Sequence, residues 1–243
     1  MKIQNQFRRY ELKYLLSPAQ YHAVVDAMKD HTRDDAYGKS TVCNLYYDTP
    51  DFRLIRRSLE KPVYKEKLRL RSYGVPGPED TVFPELKKKY RGVVYKRREI
   101  MCLREALDFL RDPHPRSQIG EEIAYFLSFY RTLAPAMAIS YEREAYFGTE
   151  DPNLRITFDT HILWRDHHLS LSDGIGGEPI LTPGQVLMEV KTEHAIPLWL
   201  TGVMTREGIR RTSFSKYGRA YLASQEQQQN RSYADQAGGF YYA

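Results

Sequence analysis

Val63-Tyr64-Lys65-Glu66-Lys67-Leu68-Arg69-Leu70-Arg71-Ser72 is the stretch on which the fold turns. Side chains alternate across a strand, so an extended chain here presents Lys65, Lys67, Arg69 and Arg71 on one face and Leu68 and Leu70 on the other. Like charges crowded along a strand repel, and four of them turned toward an enclosed space need a polyanion to neutralise them. The same alternation recurs along the chain. Glu11 alternates with Lys13, Glu85 with Lys87 and Lys89, and Lys96 with Arg98; later come Tyr141 with Arg143, Arg155 with Thr157 and Asp159, and Glu189 with Lys191 and Glu193. A solvated, lysine-edged face explains any single stripe. Their repetition in a chain of net charge +5 favours one shared anion-binding cavity instead. A closed sheet accommodates this, with charged faces turned into a hydrated lumen and apolar faces packed outward on helices.

With 243 residues, 42% of them hydrophobic, the chain reads as one large domain with a real core. The 31 acidic residues offset much of the charge of the 36 basic ones, so the cations are clustered rather than spread as a uniform coat. Cys43 and Cys102 are the only cysteines, which argues against a disulfide scaffold and for a reducing, cytoplasmic setting. The opening residues hold no apolar signal core, and no apolar run approaches the ~20 residues that span a bilayer. A soluble protein without an intrinsic membrane segment is expected.

Phe7 to Leu16 reads as a strand ending at a helix start, with Ser17 as cap, Pro18 in the first turn and Gln20 at the capping-box position. The helix continues to about His31, with Tyr21, Val24, Val25 and Met28 as its buried stripe. Strands are predicted at Val42 to Tyr47, Val63 to Tyr73, Val82 to Tyr90, Val93 to Met101, Ala136 to Phe147, Leu154 to Trp164 and Val186 to Glu193. Thr49-Pro50, Gly74 to Pro78 and Arg91-Gly92 supply turns. Helices are predicted at Leu103 to Arg111, Ser117 to Leu133, Ile196 to Glu207 and Ser215 to Ala223. Residues 1–223 form the expected domain; 224–243, Gln-rich, read as a mobile tail with Phe240-Tyr241-Tyr242 as a candidate partner contact.

A set of motifs then falls in order: Arg9-Tyr10-Glu11-Leu12-Lys13-Tyr14, Tyr46-Tyr47-Asp48-Thr49-Pro50-Asp51, Lys67-Leu68-Arg69-Leu70-Arg71, Glu85-Leu86-Lys87, Tyr95-Lys96-Arg97-Arg98, Leu187-Met188-Glu189-Val190-Lys191 and Phe214-Ser215-Lys216-Tyr217. None is specific alone, but the ordered set, over about Phe7 to Leu222, resembles the polyphosphate polymerase domain of the vacuolar transporter chaperone (VTC) complex. That family lies within the triphosphate tunnel metalloenzyme, or CYTH-like, superfamily. The resemblance implies an α+β fold: a closed antiparallel eight-stranded β-barrel tunnel with a polar cationic lumen, flanked by helices. It also implies ATP and polyphosphate as partners and a divalent metal, Mn²⁺ or Mg²⁺.

By motif matching, Arg69, Arg71, Lys87, Arg143, Lys191 and Lys216 are the expected catalytic cations, and Lys13, Lys96, Arg98 and Arg155 further phosphate ligands. Tyr141 joins them because it shares a face with Arg143. Glu189 is the expected metal carboxylate; Glu11 and Glu85 are further candidates, for which the reading as counter-charges to neighbouring lysines is the favoured one. Two departures stand out. Triphosphatases of the superfamily open with Glu-x-Glu-x-Lys, whereas this chain has Arg9-x-Glu11-x-Lys13, which favours the polymerase branch. Ser213 stands where polymerase relatives often carry a lysine before Phe-Ser-Lys, with Arg210 and Arg211 close by.

The expected activity is a phosphotransferase: the ATP γ-phosphate passes to a growing polyphosphate chain and ADP leaves. Alternatives are a triphosphatase acting on inorganic or organic triphosphates, in which a metal-bound water attacks, and a non-catalytic polyphosphate or nucleotide-binding module. Nucleic-acid binding ranks last, since the cations are not interleaved with stacking aromatics and a tunnel excludes duplexes. A membrane or export partner is left unassigned. His161 and His194 are candidates to line the lumen, His167-His168 reads as a surface pair, and Asp48 and Asp51 as turn residues.

Overall fold

The computed structural model describes residues 7–193 and 195–238, with the side chains of 7–9, 36–37 and 232–238 left aside. His194 and Phe240-Tyr241-Tyr242 lie outside the described residues. The chain runs β1 (Phe7–Leu16), α1 (Pro18–Met28), β2 (Thr32–Asp48), α2 (Arg53–Leu59), β3 (Tyr64–Tyr73), β4 (Thr81–Tyr90), β5 (Val93–Arg98), β6 (Met101–Cys102), α3 (Leu103–Arg111) and α4 (Gln118–Tyr130). It continues through β7 (Ala134–Gly148), β8 (Arg155–Arg165), β9 (Glu178–Pro179), β10 (Val186–Thr192), α5 (Leu198–Arg206) and α6 (Lys216–Gly238). The fold is α+β, one large antiparallel sheet with six helices among the described residues. None of those helices is long and apolar enough to cross a membrane.

The ladder pairs in the order β1, β5, β4, β3, β2, β7, β8, and β10 pairs with both β8 and β1. Its narrowest joint is β1 with β5, where Phe7, Arg8 and Arg9 face Lys96, Tyr95 and Val94. The β4–β5 hairpin turns on Arg91 (φ 47°) and Gly92 (φ 87°). Two successive left-handed residues match the twist of paired strands, and glycine takes the second at no steric cost.

Period-two alternation gives the sheet an apolar outer face. Leu45, Leu68, Leu70, Val82 and Leu86 pack there against Leu103, Ala106, Phe109 and Leu110 of α3 and Ile123 and Phe126 of α4. Tyr14, Leu16, Ile156, Phe158, Met188 and Val190 pack likewise against Val24 and Met28 of α1 and Leu200, Val203 and Met204 of α5. The capping box forms as expected: Gln20 N donates to Ser17 Oγ at 3.3 Å and Ser17 N to Gln20 Oε1 at 3.0 Å.

The lumen is not polar throughout, which departs from expectation. A third core joins Tyr46 of β2, Met137, Ile139 and Tyr141 of β7, Ile162 and Trp164 of β8 and Leu187 of β10 to Phe214, just before α6, and to Tyr217 and Ala220 in the first turns of α6. Apolar burial thus seats the start of α6 against these strands. That helix continues to Gly238, well past the expected end at Ala223, and buried Ser224 donates to Asp166 Oδ2 at 2.8 Å.

Candidate anion-binding site

The cavity has a volume of about 1820 Å³. Of the residues singled out by sequence, Glu11 and Lys13 of β1, Arg69 and Arg71 of β3, Lys87 of β4, and Lys96 and Arg98 of β5 line it. So do Tyr141 and Arg143 of β7, Arg155 of β8, Glu189 and Lys191 of β10 and Lys216 of α6. Glu85 does not line it. Wholly buried beneath the surface of the cavity, it accepts from Arg69 Nε at 2.8 Å, Arg69 Nη2 at 2.6 Å and Lys96 Nζ at 3.2 Å, with Arg71 Nε at 3.8 Å.

Cross-strand register builds this arrangement. Arg69 faces Glu85 and Lys67 faces Lys87 across β3 and β4, while Glu85 faces Arg98 and Lys87 faces Lys96 across β4 and β5. On the far wall Arg143 faces Asp159, and its guanidinium grips that carboxylate through Nε at 2.6 Å and Nη2 at 2.7 Å. Lys216 Nζ reaches Asp159 Oδ2 at 2.5 Å and Glu189 Oε1 at 3.2 Å. Glu189 also lies 3.2 Å from Lys13 and 3.3 Å from Lys191, and Glu11 accepts from Lys87 at 2.7 Å.

Charge pairing decides the ionisation of these groups. Burial alone would push the carboxyl of Glu85 up, but Arg71, Arg69 and Lys96 hold it well below the usual range. Lys13, Lys216 and Lys191 do the same for Glu189, and Arg143 and Lys216 for Asp159, against burial in both cases. Burial opposes ionisation of Glu11 too, yet Lys87 leads in drawing it down to about 2. The cations outnumber their partners, and some are left short of compensation. Burial lowers Lys96 to about 7 despite Glu85, and burial with Lys13, Lys65 and Lys87 nearby lowers Lys67 well below its ordinary value. The cavity is therefore preorganised, desolvated and electropositive, a state that an entering polyanion relieves.

Several contributors carried no role in the sequence reading. Asp159 is the counter-ion of the far wall. Asn44 Oδ1 accepts from Arg71 Nε at 2.9 Å and the Tyr46 hydroxyl from Arg69 Nη1 at 3.1 Å, fixing both guanidinium planes. Tyr46 and Asn44 share the cavity face of β2, so the alternation that found the cations could have found them. Ser215 Oγ accepts from Lys67 Nζ at 3.0 Å. Asp48 does more than shape a turn: it accepts from Leu54 N, Ile55 N and Tyr217 Oη, capping α2 and tying it to α6. His161, in contrast, lies away from the cavity, exposed beside Glu142 at 3.4 Å.

For a divalent metal, Glu189 and Glu11 are ionised oxygen donors on the cavity wall, each already beside lysines. Among the described residues no group of three or more His, Cys, Asp or Glu side chains could hold a metal by itself. This donor set fits an Mg²⁺-like ion that takes most ligands from phosphate and water.

The fold is similar to that of a protein from Bacillus halodurans described as a candidate adenylate cyclase, at 14% identity and a TM-score of 0.57, covering 87% of this chain and 96% of that one. It is also similar to a candidate adenylyl cyclase from Hippeastrum, described as revealing a dominant triphosphatase activity, at 17% identity and a TM-score of 0.55, covering 88% of this chain and 96% of that one. At such identities the likeness is one of fold. No curated protein gives a significant match. The ordered motifs fall within residues 8–224, which match the model of the VTC domain, and the chain belongs to that family.

Proposed function

We propose that this protein is a metal-dependent polyphosphate polymerase that transfers the γ-phosphate of ATP to a growing phosphate chain and releases ADP. One observation carries the reading: cations from β1, β3, β4, β5, β7, β8, β10 and α6 converge on one cavity in excess of its carboxylates. In this reading the paired strands act as a tunnel around the chain. The terminal phosphate oxygen of the chain attacks the γ-phosphorus, the bond to the β-bridging oxygen breaks, and the charge spreads over oxygens that Arg69, Arg71, Arg143 and Lys216 face. Lys13, Lys87, Lys96, Arg98, Arg155 and Lys191 hold the remaining phosphates, and Tyr141 orients Arg71, whose Nη2 donates to its hydroxyl at 3.2 Å. Glu85 and Asp159 are counter-charges that keep this clamp ionised and placed. Glu189, with Glu11, would hold the divalent ion, Mn²⁺ or Mg²⁺, which would supply Lewis-acid neutralisation of phosphate charge.

Triphosphate hydrolysis is the second reading, favoured by the fold shared with the Hippeastrum protein. One experiment separates the two: purified protein is incubated with ATP and Mn²⁺, and the products are resolved on a polyacrylamide gel. Polymerase activity gives a phosphatase-resistant ladder of long-chain phosphate with stoichiometric ADP. Orthophosphate or pyrophosphate release without polymer sinks the proposal.

A further inference from the structure

The C-terminal half of α4 carries two aromatic side chains that the fold leaves uncovered. Ile123, Phe126 and Tyr130 form the buried stripe of the helix. Tyr125 and Phe129, one turn apart, are 70% and 56% exposed, with ring centroids 6.3 Å from each other. Phe129 also meets the Tyr130 ring edge to face at 4.9 Å.

The patch continues onto the sheet. Tyr130 Oη and Tyr64 Oη both donate to the carboxylate of Glu66, the first at 2.7 Å. Tyr64 pairs with Tyr90 across β3 and β4, on the face opposite Lys65 and Lys89, and both rings are exposed, as is Val63. Three exposed arginines border this end. The Arg53 guanidinium lies 5.6 Å over the Tyr130 ring and that of Arg91 lies 5.3 Å over Tyr90, while the charge of Arg57 is felt by the phenols of Tyr64 and Tyr130.

Contiguous exposed apolar surface rimmed by charge marks an interaction site. Tyrosine, phenylalanine and arginine are also the side chains that concentrate at the centre of protein interfaces. The charge is one-sided. Glu66, among the arginines, is already engaged by two phenols, and Glu121, one turn before Tyr125, is exposed at the opposite end of the ridge. A nucleic-acid strand or an anionic bilayer is charged along its whole extent and meets Glu121 as well as the arginines. A second copy of this chain brings the same three arginines against one such carboxylate. A polypeptide segment is free to set carboxylates at the arginine end and apolar side chains over α4.

We propose that the Tyr125–Phe129 ridge of α4, with Tyr64, Tyr90 and the arginines beside them, docks an acidic segment of a second protein. Aromatic or aliphatic side chains of that segment pack on the ridge, and its carboxylates pair with Arg53, Arg57 and Arg91. The proposal does not depend on the reaction assigned to the cavity.

The probe is a fluorescein-labelled random copolymer of glutamate and tyrosine, compared with polyglutamate of the same length by fluorescence anisotropy, without and with inorganic tripolyphosphate to occupy the cavity. The copolymer is expected to bind at least tenfold more tightly than polyglutamate, with or without tripolyphosphate. The double variant Tyr125→Ala/Phe129→Ala should weaken the copolymer about tenfold or more and leave polyglutamate within twofold. Both rings are more than half exposed, so its melt should stay within about 2 °C of the parent. Arg53→Ala/Arg57→Ala should weaken both polymers. Equal affinity for the two polymers, copolymer binding that the aromatic double variant leaves unchanged, or binding lost on adding tripolyphosphate overturns the proposal. Poly(U) or phosphatidylserine vesicles that bind the parent and lose tenfold on the aromatic double variant give the ridge to nucleic acid or membrane, and a dimer in ultracentrifugation that this variant abolishes gives it to a second copy; each of these also overturns it.

Discussion

Replacing Glu85 by glutamine removes the buried negative charge on which one wall of the cavity rests. Glu85 is wholly buried and carries Arg69 on one oxygen and Lys96 on the other, with Arg71 close by. Breaking a buried ion pair by removing one partner costs about 3–5 kcal/mol, because the remaining charge is stranded. Glutamine keeps one acceptor oxygen, so the lower end, about 3 kcal/mol, is expected. In a protein of this size each kcal/mol moves the unfolding midpoint by roughly 2–4 °C, giving a fall of about 10 °C in a circular-dichroism melt. Inorganic tripolyphosphate should restore much of the loss, since a ligand at a hundred times its Kd adds about 2.7 kcal/mol and here also supplies the missing negative charge. The acid limb has a definite sign. The folded carboxyl of Glu85 titrates well below the unfolded value, so its stabilisation is present above about pH 4.3 and fades as pH falls toward the folded pKa. The variant should therefore lose less stability than the parent on acidification. A variant that melts within about 2 °C of the parent yet no longer binds Mn²⁺ refutes the argument and makes Glu85 a metal ligand.

Asp48→Ala removes the acceptor shared by Leu54 N, Ile55 N and Tyr217 Oη, and should lower urea stability by about 3 kcal/mol; a loss under 1 kcal/mol contradicts its capping role. Lys216→Met, which strips Asp159 and Glu189 of their shared cation, should reduce turnover on the order of a hundredfold, and near-parental turnover would remove Lys216 from the clamp. Tripolyphosphate binding at pH 8 should take up protons, because Lys96, lowered by burial to about 7 in the free protein despite Glu85, recharges beside the anion. Calorimetry in two buffers of different ionisation enthalpy reads the uptake, which should shrink toward pH 6 as Lys96 is already protonated; identical enthalpies in both buffers at pH 8 would rule it out.

The cations were legible because alternation is a local signal: Lys65 to Arg71 need only be extended to share a face. The limits of β1 and α3 and the Arg91-Gly92 turn were equally local. Asp159 was visible as a residue but not as a counter-ion, and Glu85 was legible as a counter-charge but not as the partner of Arg69, since those roles depend on which strand lies opposite, a matter of register rather than of composition. Helix α2 escaped notice for a similar reason. It is seven residues long and has no side-chain cap at its own N-cap, Phe52; its backbone N–H groups are met by Asp48, which Tyr217 holds from across the fold. The length of α6 has its own signal in the sequence: its Gln, Ala and Glu residues favour helix even where no apolar stripe exists.

A crystal structure of the protein with inorganic tripolyphosphate tests the central claim most directly. The account predicts one extended phosphate chain inside the cavity, with Arg69 and Arg71 on one side and Arg143 and Lys216 on the other. Tripolyphosphate bound only on the outer surface, with the cavity side chains still paired to Glu85, Asp159 and Glu189 alone, would contradict it.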